Sequence, residues 1–215
     1  PPTTPLFRSS AASDVYKSQT RDSIFKAFKR KETFATTGTR LAVRFFAGYD
    51  LSSIDLNSDS LVSEAYAKGV TMGADLLHDG TKIPEFIVWA QKDKNGAPLQ
   101  RVQIVKGWID SNSGRPEEKV YDVACSDGNE VDPVTNRCPD NGARVNISDC
   151  SITDNVGSSE LKTLWKDPEF SPNDKSFYYV RVLENPTCRW STWDAINRGF
   201  EPVSYTHLTL PTNGT

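Results

Sequence analysis

The chain has 215 residues, 25 Lys and Arg against 28 Asp and Glu, a formal net charge of -3 and 37% hydrophobic residues. That length holds one large domain with a core of useful size, or one and a half smaller ones. The charge balance carries no basic excess for nucleic acid, and no apolar run is long enough to cross a bilayer as a helix, so neither kind of partner is expected.

Residues 1–17 are rich in Pro, Ser, Thr and Ala and read as a loop. Thr20 then stands where an N-cap belongs, Asp22 falls in the first turn, and Ile24, Phe25 and Phe28 form an apolar stripe against Lys26, Lys29 and Arg30. This is one amphipathic helix ending near Lys31, its basic run a solvated face. In "ETFATTGTRLAVRFFAGYD", Leu41, Val43 and Phe45 alternate with Arg40, Ala42 and Arg44 at the period of a half-buried strand, behind a turn at Gly38. "LVSEAYAKG" predicts a short helix closed by Gly69.

The runs "EFIVWAQ" and "LQRVQIVKGWI" predict two strands joined as a hairpin through "KDKNGAP", on the strength of Asn95-Gly96. "KVYDVAC" sets Tyr121, Val123 and Cys125 on one face of a further strand, with the cysteine placed to tie a loop down. "SSELKTLWKD" reads as a short helix capped by Ser158 or Ser159, and "SFYYVRVLE" as a strand. In "NPTCRWSTWDAINRG", Trp190, Trp193 and Arg189 have the makings of a stacking platform for a sugar or cation, but core packing beside a disulfide is the expected use. No internal repeat is present. One helix followed mostly by strands predicts an α+β, β-rich fold, an antiparallel sheet or sandwich-like region with a few peripheral helices.

Four cysteines, Cys125, Cys138, Cys150 and Cys188, lie in the second half without close C-x-x-C spacing, which favours disulfides over a zinc or redox site. Three pairings are open. Disulfides persist in oxidising compartments, so the expected location is periplasmic or secreted. The Asx- and Gly-rich segment 126–149 is too long for an unclamped loop, and crosslinks are the clamp expected.

Few residues carry obvious chemistry. His78 and His207 are the only histidines, too few for a triad or a multi-histidine metal site, and His78 reads as a polar loop residue. Asp127, Asn129 and Asp132, with Asp140 and Asn141, offer oxygens of the kind calcium takes, but their spacing departs from the helix-flanked calcium loop, so turn formation is expected of them. Asn146-Ile147-Ser148 fits the glycosylation acceptor pattern. In "TTGTR", Thr37, Gly38 and Arg40 form a candidate anion site, weighed against a turn with a solvated arginine. Val203 to Thr212 back-translates, with allowed codons, into a transposon-end sequencing adapter, so residues 203–215 are expected to be a non-native tail on a truncated reading frame.

The blocks "TRDSIFKAFKRKETFATTGTRLAVRFFAGYD", "PEFIVWAQKD", "APLQRVQIVKGWID", "EKVYDVACSDG", "TNRCPDNGA" and "SFYYVRVLENPTCRWSTWDA" resemble, in this order and from about Thr20 to Glu201, the C-terminal part of the bacterial family known as DUF3604. The resemblance implies a larger exported protein whose upstream part is a metal-dependent hydrolase barrel of the polymerase-and-histidinol-phosphatase (PHP) type. Its divalent ions would be held by H-x-H, Asp-His and S-D-T-H-N-like motifs, none of which occurs in this chain. No family ligand carries over, and no cofactor is expected here.

The resemblance also implies the divisions: residues 1–34 as the edge and closing helix of that barrel, 35–202 as the appended β-rich region with its disulfides, and 203–215 as the tail. The function expected of the parent is hydrolysis of a small-molecule substrate, phosphoesterase-like, by a metal-activated water, with this chain inactive alone and the upstream barrel as its partner. The alternative expectation is a non-catalytic, secreted, β-rich module that binds a ligand or glycan.

Overall fold

The computed structural model describes residues 8–11, 20–77, 79–80 and 82–200. Its elements are β1 (Arg8–Ala11), α1 (Arg21–Lys29), β2 (Thr33–Thr36), β3 (Ala42–Gly48), a 3-10 turn (Leu51–Ser53), α2 (Leu61–Lys68), β4 (Gly69–Thr71), β5 (Glu85–Gln91), β6 (Leu99–Ile109), β7 (Pro116–Cys125), β8 (Glu160–Lys166), β9 (Lys175–Glu184) and α3 (Trp190–Asn197). A four-stranded antiparallel sheet, β4-β3-β5-β8, faces a three-stranded one, β7-β6-β9, while β1 and β2 pair apart. The β-rich α+β fold expected from the sequence is the fold observed.

The two sheets share one core, in which Val43, Phe45, Phe86, Val88 and Ala90 meet Val102 and Ile104, with Tyr178, Val180 and Val182 packed against them. A second core lies on the other face of the larger sheet, where Phe46 and Ile87 pack under Leu51, Ile54, Leu61 and Ala65. This explains why β5 is a continuous apolar run and why β3 breaks its alternation at Phe45-Phe46. A strand covered on both faces has no solvent side on which to place polar residues.

Several local expectations hold. Thr20 caps α1, its hydroxyl accepting from the Ser23 amide at 3.3 Å, and Ile24, Phe25 and Phe28 form an exposed stripe while Ala27 is buried. α2 ends at Gly69, but by running straight into β4 with extended backbone. A Cβ there would sit 2.5 Å from the Ala47 carbonyl oxygen, so the glycine is required by close approach.

Three expectations fail. Residues 8–11, read as part of a loop, form β1 and pair antiparallel with β2 from Arg8↔Thr36 to Ala11↔Thr33. Asn95-Gly96 does lie in a tight connection, with the Gly96 amide on Asp93 O at 3.0 Å, yet β5 and β6 do not form a hairpin. They part into different sheets because the polypeptide before β8 enters between them: the Lys92 amide donates to Ser159 O at 2.9 Å and the Leu99 amide to Ser158 O at 2.8 Å. The predicted helix after Ser158 is instead β8, paired with β5 from Gln91↔Glu160 to Glu85↔Lys166. Its Leu161 and Trp165 point into the sandwich and Leu164 into the second core, so period two decides over the serine cap signal.

Disulfides join Cys125 to Cys138 and Cys150 to Cys188, with Cα separations of 5.6 and 5.5 Å. The first is backed by Asp122, whose buried carboxylate accepts from the Cys138 amide at 2.7 Å, Gln103 Nε2 at 2.6 Å and the guanidinium groups of Arg101 and Arg137. Segment 126–149 is thus held at both ends, as its length demanded.

Candidate groove along an edge strand

The end of the sandwich at β9 is open. β6 pairs β9 on one side, and among the described residues no strand pairs it on the other. Alongside lies a groove of about 1240 Å³. β9 forms one wall, β2 and residues 70–76 the opposite one, and Val43, Phe45 and Phe86 on the inner face of the larger sheet form the floor.

The backbone direction of β9 follows from its neighbours. Asp122, opposite Gln103, turns its amide away from β6 to Asn136 O at 3.0 Å, so Gln103 directs its own hydrogen bonds to β9. Counting by twos along an antiparallel ladder places the amides of Phe177, Tyr179 and Arg181 on β6 and those of Ser176, Tyr178, Val180 and Val182 toward the groove. The side chains alternate the other way. Tyr178, Val180 and Val182 enter the core, while Phe177 and Tyr179 lie exposed on the outer face with their rings 6.4 Å apart and 10° from parallel.

At one end of the groove stands Glu184. Its Oε2 accepts from the Thr39 hydroxyl at 2.8 Å, and its Oε1 is buried with no hydrogen-bond partner among the described residues. Burial raises its pKa, the Thr39 hydroxyl opposes the shift, and the nearby Asp93 carboxylate adds to it. A raised pKa means that this carboxyl supports the fold in acid and loses that contribution as pH rises through the raised value. Glu184→Gln is accordingly expected to raise Tm at pH 7 by about 2 °C and to leave it nearly unchanged at pH 4. Thermal unfolding in the two buffers checks this, and a lower Tm at pH 7 contradicts it.

The residues chosen from sequence meet this site only in part. Thr37 lines the groove, Gly38 turns with φ +136°, and Arg40 is exposed. The Arg40 amide is held by Asp93 Oδ2 at 2.7 Å, and that contact first, then the Asn95 amide, lowers the Asp93 pKa. The turn therefore faces two carboxylates of its own chain. Glu184 and Asp93 were missed because neither stands out in its segment, and they meet Thr39 and Arg40 only through the fold.

Elsewhere the Asx-rich segment behaves as turn-forming sequence. Asp127 accepts from the Gly157 amide at 2.7 Å, Asp132 from the Val134 amide at 2.8 Å and Asp140 from the Gly142 amide at 3.0 Å, while Asn141 donates to Asn185 Oδ1 at 2.9 Å and Asn129 to Ser126 O at 3.0 Å. Asn146 makes a similar turn, accepting from the Ser148 amide at 3.0 Å. Trp190 and Trp193 are not core residues. They lie on the two-turn helix α3, 79% and 47% exposed, since a helix so short at the surface has no sheet face to bury them against. His78, His207 and residues 201–215 lie outside the described residues.

A family model described as "Protein of unknown function (DUF3604)" matches residues 4–211. No curated protein and no solved structure matches the chain.

Proposed function

Because the chain belongs to the DUF3604 family, whose description states no function, we propose a role from its geometry: a binding module that holds an elongated ligand in the groove along β9. The observation that carries this reading is the groove itself, about 1240 Å³ with an apolar floor and an edge strand whose hydrogen-bonding groups face it. Sites for small and extended ligands share this build, apolar lining with a few directed polar groups.

The metal centre implied by the resemblance is expected in the upstream barrel, whose histidine motifs do not occur in this chain. No group of three His, Cys, Asp or Glu among the described residues is placed to hold an ion, and no chemical step is assigned to one. The reading leaves metal-dependent, phosphoesterase-like hydrolysis to the upstream barrel of a larger protein. The two disulfides favour an exported protein, periplasmic or secreted.

The test is calorimetric titration of the full chain with two probes: a ten-residue peptide alternating Thr with Val and carrying Lys at both ends, and linear glucose oligosaccharides. Ala74→Trp fills the groove from an exposed position on its wall. The expected result is binding of at least one probe, weakened about tenfold or more by Ala74→Trp at unchanged Tm. No binding at millimolar concentration, or binding indifferent to Ala74→Trp, overturns the reading.

A further inference from the structure

We propose that the occupant is a polypeptide in extended conformation, supplied by a separate protein or peptide, which adds to β9 as the fourth strand of the β7-β6-β9 sheet. This rests on the groove being a ligand site and names what the ligand is.

The spacing of the free groups carries the inference. Along β9 the amides and carbonyls of Ser176, Tyr178, Val180 and Val182 face the groove at every second residue, a repeat of about 6.8 Å. A partner strand has donors and acceptors at the same repeat, so one extended segment satisfies the whole row, and β-strand addition draws its affinity from such main-chain bonds. Sugar hydroxyls have no such fixed two-residue period.

Of the devices that keep strands from pairing, the edge has charges at Lys175, Arg181 and Glu184 but neither a proline nor a bulge of its own. Segment 175–184 contains no proline, and the one irregularity in its ladder with β6 lies at the far end, between Leu99 and Arg101. A ten-residue edge without Pro, to whose free side no strand of the described residues pairs, is the form that natural proteins avoid unless something pairs with it.

Glu184 gives the second, independent observation. Its buried Oε1 has no hydrogen-bond partner among the described residues, and such a group is costly unless satisfied. It sits where the added strand would end, beside Asp93, whose lowered pKa keeps it ionised. At the opposite end of β9 the exposed Lys175 stands beside Asp174, so that end carries no net charge. The two ends therefore differ in charge, one acidic and one balanced, and the favoured segment is one with a Lys or Arg next to Glu184. That asymmetry sets its direction.

The test uses the same ten-residue peptide in two N-methylated forms, one methylated at the odd and one at the even positions. Only one set of amides faces β9 in a paired strand, so one form is expected to bind at least about tenfold more weakly than the other. Glu184→Gln, which keeps the shape and removes the charge, is expected to weaken the lysine-ended peptide about threefold. Equal loss in both methylated forms, or tight oligosaccharide binding with none of the peptide, ends the strand proposal while leaving the groove reading intact. Failure of both probes ends the groove reading as well. Sedimentation of the free chain as a dimer that dissociates on Val180→Pro, in the middle of the edge, overturns the proposal in favour of a second copy as occupant.

Discussion

Asp167→Ala is expected to destabilise the fold by about 3–5 kcal/mol, the largest effect of any single substitution named here. Lys106 Nζ lies 2.6 Å from Asp167 Oδ2, with the two side chains 1% and 0% exposed. Lys106 also donates to Glu169 O at 2.7 Å, and Asp167 accepts from the Tyr178 hydroxyl at 2.7 Å and the Glu169 amide at 2.9 Å. Removing the carboxylate leaves an ammonium with one carbonyl and the Trp108 ring, 5.0 Å from its centroid, and a Tyr178 hydroxyl without its acceptor. Burial, followed by Asp167, holds that hydroxyl protonated far above the ordinary phenol range. The double variant Lys106→Met, Asp167→Leu removes both charges and replaces them with apolar groups of similar size. It is expected to return to within about 2 kcal/mol of the parent. Urea unfolding of the three proteins at equal m-value decides. A loss below about 1 kcal/mol in Asp167→Ala contradicts the account.

The second large effect concerns the crosslinks. Cys150–Cys188 spans 38 residues and Cys125–Cys138 spans 13. Loop-closure entropy in the unfolded chain gives about 4 kcal/mol for the first and about 3 kcal/mol for the second. Replacing Cys150 and Cys188 with Ser is thus expected to lower stability more than replacing Cys125 and Cys138, although the latter pair also anchors the loop that supplies the Cys138 amide to Asp122. Thermal unfolding of the two double-Ser variants measures the order. The reverse order, or four thiols titrating in the folded chain without reductant, contradicts it.

Much of the fold was legible in the sequence wherever a single segment contained its own signal. The Thr20 cap, the strand periods of β3 and β9 and the role of Cys125 as a loop tie all depend on neighbours a few residues away. The failures share a cause. The hairpin at Asn95-Gly96 is a true turn, but sheet membership is decided by Ser158 and Ser159, more than sixty residues later. β8 was misread because Ser158, Ser159 and Glu160 look like the start of a helix, while the strand partners that select period two lie on β5.

The candidate site was almost invisible for the same reason. Thr37 and Arg40 were noticed as part of a polar turn, whereas Glu184 looks like the ordinary polar end of a strand. Only the tertiary structure places it against Thr39 and beside Asp93. Lys106 sits in "LQRVQIVKGWI" where a charged residue suggests a solvent face, and its burial follows from a partner 61 positions away at Asp167. An open edge is likewise a property of topology, since no residue in "KSFYYVRVLE" announces which of its two sides is paired.

Residue-resolved amide hydrogen exchange along β9, in the free chain and with the ten-residue peptide, tests the central claim most directly. An open edge gives alternation in the free chain: Phe177, Tyr179 and Arg181 protected by β6, and Tyr178, Val180 and Val182 exchanging about a hundredfold faster, with peptide slowing the second set alone. Uniform protection of both sets in the free chain would mean that the edge is already paired, and would contradict the claim.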